Sequence, residues 1–484
     1  MNNLVIYKDL LIYQLECVDK LDKLKVGANF MDMGTGKTIT MLELIKRKSK
    51  KIDKVLWFTP VSAMENLRRN ILENSNFLEH DFIKFYGIES ISQSDRIYLE
   101  VLRIFEKEER IMLIVDESTL IKNFFAKRSE RLRYISELCK YRYIMNGTPV
   151  TRDIVDIFSQ FYILDKRILG YSSFYSFANN HFVYDDFGKR TSVLDQEYLM
   201  QRITPYTFKI KKSECIDLPK RNINTYYFNL TEEQSIHYEQ IKQELLMSVD
   251  DFDSTTIYKL FTALQLITSA RKVSIDNIHK SISSENFFND KKDNPRLKAL
   301  SNIIKSEDEK TLIWCKYRHE VDDITSYLIE EYGEEYVCRF DGAVSIKERN
   351  IMIDKFKNKA RFLVANKSCG GFGLNLQFCN RAIYYNNDFN WGTRQQSLDR
   401  VYRLGQNKKV FITDICASYK VDERILENLK KKKNLDETFN ERLRKYNKVD
   451  IDKWIDNRLK AGRGWNDKNR FRQATEATRD TEAY

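Results

Sequence analysis

The sequence predicts an α/β protein built of two parallel-sheet lobes. Three observations carry this reading. Short β-branched and aromatic runs alternate with longer charged, amphipathic segments, as strands do when crossover helices join them. These runs fall into two sets, separated by an interval of different character, so a single sheet does not account for them. A chain of 484 residues also has the length of about three domains.

The first set of strands is expected at 55–59, 111–115 and 143–146, with helices at 39–46, 63–74 and 96–108. The interval 151–210 is rich in Phe and Tyr and reads as a mainly helical extension whose rings pack on one another. An extended stretch, INTYYFNL at 223–230, follows Leu218-Pro219-Lys220. Helices are then expected at 232–247 and 255–272. The charges and proline of 290–295 suggest a linker. The second set of strands is expected at 311–315, 336–340, 361–365, 382–385 and 410–413. The resulting division is a first lobe at 1–150, a protrusion returning to it at 151–230, a helical inter-lobe region at 231–294, a second lobe at 295–429 and a basic helical tail at 430–484.

Composition narrows the function classes. Hydrophobic residues are 42% of the chain, enough for packed cores and too many for wholesale disorder. The formal charge of +11 has the sign a polyanionic partner requires. Eight scattered cysteines without a C-x-x-C pair, and only five histidines, argue against a disulfide framework or structural zinc. No secretory signal or membrane-length apolar run is visible, so the expectation is a cytoplasmic protein without a membrane partner (host cytoplasm for a phage or viral source, nucleus for a eukaryotic one).

Two constellations carry chemistry. Gly34-Thr35-Gly36-Lys37-Thr38 reads as a phosphate-binding loop. Its glycines permit a tight turn, Lys37 supplies a point charge, Thr38 offers a hydroxyl to Mg²⁺, and the helix that follows adds its N-terminal dipole. The position usually held by the first glycine is Met31. The apolar run 111–115 ends in Asp116-Glu117 and so places two carboxylates at the sheet edge where a phosphate loop lies. Asp116 suits Mg²⁺ and Glu117 suits polarisation of an attacking water. Asn146-Gly147-Thr148-Pro149 also follows a strand and is a candidate relay. In the second constellation, Gly370, Gly371 and Gly373 precede Arg400 and Arg403, which would share one side of a helix if that segment is helical. The basic stretches at 204–212, with Lys209, Lys211 and Lys212, and at 430–433 fit either a solvated face or a polyanion track.

The ordered set of motifs resembles the SWI/SNF-type family of superfamily 2 helicase-like ATPases, which are double-stranded DNA translocases. The matching strings are Tyr13-Gln14, MDMGTGKT at 31–38, TPVSAMENLRRN at 59–70, VDEST at 115–119, NGTPV at 146–150, TLIWCKY at 311–317, GGFGLNL at 370–376 and QSLDRVYRLGQ at 396–406. The resemblance implies two RecA-like lobes, ATP and Mg²⁺ as cofactors, and ATP-driven movement on DNA. It places Gln14, Gly34, Thr35, Gly36, Lys37, Thr38, Gly373, Asn375 and Gln396 at the nucleotide, with Thr38 and Asp116 on the metal. Lys37, Glu117, Arg400 and Arg403 take the catalytic roles, the two arginines as fingers. Pro60, Ser62, Gly147, Thr148, Lys316, Lys367, Ser368, Gly370 and Gly371 are implied as nucleic-acid contacts. Double-stranded DNA is the expected partner, with single-stranded DNA, RNA and a protein partner left open, and the core is expected to be monomeric. A strand-separating helicase and an inactive nucleic-acid-binding scaffold are the alternatives. The chain departs from the family pattern at Ser118-Thr119, where a histidine is usual, and at Tyr402, which replaces the histidine before the second arginine.

Overall fold

The computed structural model describes residues 4–147, 154–184, 190–215, 217–247, 254–276, 281–306, 308–367, 374–418, 420–431 and 455. The described chain divides at Leu218–Pro219 into two compact units.

The first unit is organised by strands β1 (Val26–Asn29), β2 (Lys54–Thr59), β3 (Ile83–Gly87), β4 (Ile111–Val115) and β5 (Tyr141–Met145), with a hairpin of β6 (Phe182–Tyr184) and β7 (Arg190–Val193), and then β8 (Thr207–Phe208). The main sheet runs β3-β2-β4-β5-β1-β8, and every pairing in it is parallel. Side chains alternate between its two faces. Leu56 and Phe58 of β2 enter one core, together with Leu113 and Val115. Val55 and Trp57 enter the other, with Met112 and Ile114. Burial of both faces explains why the strands read as continuous apolar runs. Helices Lys37–Lys48 and Val61–Asn74 follow β1 and β2, so the phosphate-loop segment lies at the carboxyl end of the sheet.

The aromatic interval is partly helical, through Asp156–Leu164, Phe174–His181 and Gln196–Ile203, but the β6–β7 hairpin interrupts it. Its rings pack on one another: Phe158 meets Phe177 at 4.6 Å and Phe174 at 5.4 Å, and Phe124 joins them from the first lobe. The chain re-enters the first sheet at β8, and the following β-branched and aromatic stretch does not stay with it. Arg221–Phe228 forms β9, which pairs with a strand of the second sheet over eight residues. The expected boundary at 230 therefore moves to Leu218–Pro219, because β9 finds its hydrogen-bond partner beyond it.

The second unit continues with β10 (Arg271–Asp276), β11 (Ser281–Asn286), β12 (Thr311–Cys315), β13 (Val337–Phe340), β14 (Phe362–Asn366), β15 (Arg381–Tyr384) and β16 (Val410–Ala417). Its sheet runs β13-β14-β12-β15-β16-β9, again all parallel. Each unit is thus built on one all-parallel six-stranded sheet, the α/β lobe expected of it. The helix expected over 255–272 ends at Thr268, and Ala270, with φ +62°, turns the chain into the β10–β11 hairpin. The expected linker at 290–295 is a helix start: the Asn294 side chain accepts the Arg296 N–H, and Pro295 occupies the first turn of Pro295–Lys305. The signal was local and correct; its meaning was a cap. The tail at 430–484 lies almost wholly outside the described residues. Among the described residues no helix is long and apolar enough to cross a membrane, and seven described cysteines are free.

A buried polar network ties the second unit together. Arg296 is fully buried. It donates to the Thr268 carbonyl at 3.1 Å, the Tyr385 carbonyl at 2.6 Å and the Thr268 hydroxyl at 2.9 Å, and it pairs with Asp422. Asp422 also accepts the Ala417 N–H at 3.0 Å. Buried Glu320 accepts the Ser269 hydroxyl at 2.7 Å, the Asn386 amide at 2.8 Å and the Lys316 N–H at 2.9 Å. Gln265 accepts the Lys316 ammonium at 2.6 Å, and the Asn386 carbonyl accepts that of Lys367 at 2.6 Å. Burial pushes the Lys316 ammonium down to about 7, against the pull of Asp388, and that of Lys367 down to about 8.

Two predictions follow from this network. Arg296→Met leaves Asp422 buried without its cation and should destabilise the second lobe by about 3–5 kcal/mol in denaturant unfolding; Arg296→Met with Asp422→Leu should recover much of that loss. For Lys316 and Lys367 the folded state binds fewer protons than the unfolded chain between about pH 7 and 10. Stability should therefore rise with pH across that window, by up to about 1.4 kcal/mol per unit for each lysine. Thermal melts from pH 7 to 9.5 should show this rise in the parent and a smaller one in Lys316→Met.

Candidate nucleotide and nucleic-acid site

The phosphate loop leaves β1 and is closed by its own polar atoms. The Thr35 hydroxyl donates to the Asp32 carbonyl at 2.6 Å. The Lys37 ammonium donates to the carbonyls of Met31 and Asp32 at 3.1 and 3.2 Å. The Thr35 carbonyl accepts both the Tyr13 hydroxyl at 2.9 Å and the Gln14 amide at 2.8 Å. Gln14 is buried and turns its other end to the Leu11 N–H at 2.9 Å. The helix Ile12–Asp22 thus grips the loop by two successive side chains. Gly36 has φ +88°, and a Cβ there would stand 2.3 Å from the Gln14 amide nitrogen, so both backbone angle and space require glycine. The N-cap of the helix beginning at Lys37 is Gly36, which makes no side-chain cap hydrogen bond, and the dipole of a helix N-terminus favours an anion.

Asp116 and Glu117 follow β4 at the same edge. Asp116 accepts the Glu117 N–H at 2.9 Å. Glu117 has φ +48° and ψ +52°, a left-handed conformation that costs a non-glycine residue about 1–2 kcal/mol and sharply redirects the chain after the strand. The buried Ser118 hydroxyl bonds to Gln160 of helix Asp156–Leu164, so the position after the acidic pair is tied to the aromatic extension. Gly147 closes the other side. A Cβ on it would be 2.6 Å from Met33 Cγ and 3.6 Å from Lys37 Nζ. The structure therefore brings Gln14, Gly34, Thr35, Gly36, Lys37, Thr38, Asp116, Glu117 and Gly147 to one edge of the first sheet.

The donor set can be weighed against Mg²⁺. Among the described residues no group of three acidic, histidine or cysteine side chains could cage a metal. A single carboxylate and a hydroxyl, Asp116 and Thr38, fit an ion that keeps several waters and takes its remaining oxygens from substrate phosphates.

In the second unit the helix Trp391–Leu398 stops before the arginines. Arg400 and Arg403 lie in the turn that follows, a correction to the helical face expected for them. Their placement comes from hydrogen bonds around the turn. The Leu376 N–H donates to the Arg400 carbonyl at 3.0 Å. Buried Gln406 donates to the carbonyls of Cys379 and Val401 at 3.0 and 3.2 Å. Arg403 donates to the Asn375 side-chain oxygen at 2.6 Å, which brings two expected site residues together. Burial and the neighbouring Arg400 lower the Arg403 guanidinium to about 10. Gln396 is half-buried on the helix before the turn.

The expected nucleic-acid contacts are less uniform. Ser62 is exposed on the first turn of helix Val61–Asn74, and Pro60 is buried as its N-cap. Lys316 and Lys367 do not face outward: their ammonium groups are held inside the second unit by Gln265 and Asn386. Of the basic run 209–212, Lys209 and Lys211 are exposed and Lys212 is buried. Thr148, Ser368, Gly370, Gly371 and Gly373 lie outside the described residues. Asp32 and Tyr13, which hold the loop, were missed as site residues. The only sequence signal for them was their adjacency to the glycine loop and to Gln14.

Residues 14–279 match the family model of the SNF2-related domain, and residues 295–405 match that of the helicase conserved C-terminal domain. The chain is similar to an uncharacterized ATP-dependent helicase of Mycoplasma genitalium, 23% identical over 424 residues that cover 84% of this chain and 39% of that protein. It is similar also to a DNA repair and recombination protein of Saccharomyces cerevisiae, 25% identical over 368 residues that cover 70% of this chain and 38% of that one. The chain thus spans about two fifths of the length of these relatives. Among solved structures it is similar to a Sulfolobus solfataricus SWI2/SNF2 ATPase core in complex with dsDNA, at 22% identity, covering 89% of this chain and 92% of that one with a TM-score of 0.40. The SNF2-related match alone takes in more than half of the sequence, and the chain belongs to the SNF2-related family.

Proposed function

We propose that this chain hydrolyses ATP and couples hydrolysis to movement along double-stranded DNA. The observation that carries the proposal is the carboxyl edge of the first sheet, where a Cβ on Gly147 would stand 3.6 Å from Lys37 Nζ beside the glycine loop, and where the Asp116-Glu117 pair leaves the end of β4. Membership of the SNF2-related family supports the same reading.

In this reading the Thr35–Thr38 backbone and the Lys37 ammonium bind the phosphates, and Gln14 orients the base end of the nucleotide. Thr38 and Asp116 would hold Mg²⁺, which would supply charge neutralisation at the phosphates. Glu117 orients the attacking water and accepts its proton. Arg400 and Arg403 stabilise charge that develops on the transferred phosphoryl group, where a planar guanidinium matches the oxygens better than an ammonium does. Hydrolysis changes the contacts around the bound nucleotide, and the DNA grip changes with them. Ser62 and Gly147 are the contacts proposed for the phosphate backbone, giving affinity without sequence preference.

The test is an ATPase assay with single-stranded DNA, duplex DNA and RNA, alongside triplex displacement and strand displacement. Stimulation by duplex DNA with triplex displacement and no unwinding is expected. Strand separation would favour a helicase, and no stimulation by any nucleic acid would sink the reading.

Two sets of variants probe the chemistry. Glu117→Gln should retain nucleotide binding by titration and lose hydrolysis by about 10²-fold or more, whereas Lys37→Ala should weaken binding itself. Arg400→Ala and Arg403→Ala should leave nucleotide affinity near the parental value and cut turnover roughly 10³-fold, with lysine rescuing poorly. Near-normal turnover in both arginine variants would return these residues to a purely structural role.

A further inference from the structure

The parallel ladder between β1 and β8 runs on past both strand ends. The Phe30 N–H donates to the Phe208 carbonyl at 2.8 Å, and the Asp32 N–H to the Ile210 carbonyl at 3.1 Å. Regular continuation would put the Lys212 N–H on the Asp32 carbonyl. That N–H instead donates to the Asp32 carboxylate, Oδ2, at 2.9 Å. The side chain supplies the rung, and the carbonyl is turned into the loop, where it accepts the Thr35 hydroxyl and the Lys37 ammonium. One residue therefore spans two structures: its carboxylate holds the chain at 212, and its carbonyl holds the lysine proposed for phosphate binding. The far side is firmly seated. Phe208, Ile210 and Cys215 pack against the core that contains Met31, and Lys212 is buried. Only a few residues separate this segment from the unit boundary at Leu218–Pro219.

We infer that Asp32 is a positioning residue that couples the placement of Lys37 to the segment 207–215, and so to the stretch of chain that leads into the second lobe. The coupling needs no long pathway. When the Lys37 ammonium shifts toward a nucleotide phosphate, the Asp32 carbonyl loses a donor. The nearest rung of the ladder, the Lys212 N–H, can then pass from the carboxylate to the carbonyl. Two alternative acceptors for one N–H make a two-state element, biased by where Lys37 sits. The nucleotide half of this inference rests on the ATPase reading above.

The test is amide hydrogen exchange over 207–215 in the full chain, with and without a non-hydrolysable ATP analogue, for the parent, Asp32→Asn and Asp32→Ala. Nucleotide binding is measured separately by titration. Without nucleotide, Asp32→Ala should speed exchange at Lys212 about fivefold, the effect of one lost hydrogen bond. Asp32→Asn, which keeps a side-chain oxygen, should restore protection. With the analogue at a saturating concentration set for each variant from its own titration, exchange across 207–215 should change in the parent and stay unchanged in Asp32→Ala. Lys212→Pro, which removes the donor and leaves Asp32 intact, should abolish the response in the same way and serves if Asp32→Ala does not fold. Equal exchange in Asp32→Ala and the parent, or a parental segment that ignores bound nucleotide, would overturn the inference. A parent that binds no nucleotide would instead overturn the ATPase reading, and the nucleotide-free comparison would still decide the Asp32–Lys212 bond.

Discussion

A parallel sheet covered by helices on both faces leaves one place for chemistry, and both lobes obey that constraint. Every strand of β1 to β5 except the edge strand β3 is almost wholly buried, so no polar side chain can act from the sheet faces. The strand ends are different: there the ladder stops and the backbone must find new partners. The glycine loop, the left-handed Glu117 and the turn at Gly147 are three answers to that one problem. Each lies where a strand's hydrogen-bonding pattern has run out, and all three lie at the same edge of the sheet. In the second lobe the turn carrying Arg400 and Arg403 is built likewise from carbonyls and amides that no helix or strand claims, stapled by Gln406.

The two lobes solve the cost of burying polar groups differently. In the first, polar atoms near the site bond mostly to backbone carbonyls of the loop itself, and the loop conformation is set by short-range contacts. In the second, a network of Arg296, Asp422, Glu320, Gln265 and Asn386 joins segments far apart in sequence. Such a network is stable only when every member is satisfied, since a buried group that loses its partner keeps the full desolvation penalty. It fixes where helices Ser254–Thr268, Pro295–Lys305 and Val421–Lys430 meet the ends of β12, β15 and β16. Specificity of packing follows from it more surely than net stability does.

Much of this was legible in the sequence because it is local. The strands at 111–115 and 311–315 are bounded as their apolar runs predict, and the phosphate loop and acidic pair sit where strand ends must put them. What was not legible depends on partners distant in sequence. β9 looks like any half-buried strand, and only its eight-residue register with β16 assigns it to the second sheet. The stretch 290–295 carries charges and a proline whether it is a linker or a cap, and the Asn294 bond to the Arg296 N–H decides. Lys316 and Lys367 follow strands in motif positions that suggest an outward reach. Their inward orientation comes from Gln265, about fifty residues upstream of Lys316, and from Asn386, nineteen beyond Lys367.

The cations of the second lobe make a final distinction that bears on how the lobe can interact with a polyanion. Arg296 and Arg394 are paired with the buried carboxylates Asp422 and Asp414; their charge is already answered, and they belong to the scaffold. Lys316 and Lys367 are held by neutral oxygens, and Lys316 also lies over the Phe389 ring at 3.2 Å. Burial, only partly offset by nearby Asp388, is what depresses their ionisation. Both ammonium groups are already engaged by acceptors inside the lobe, Lys316 by Gln265 and Lys367 by the Asn386 carbonyl. The turning of these two lysines inward makes them part of what shapes the ends of β12 and β14 rather than part of what they touch.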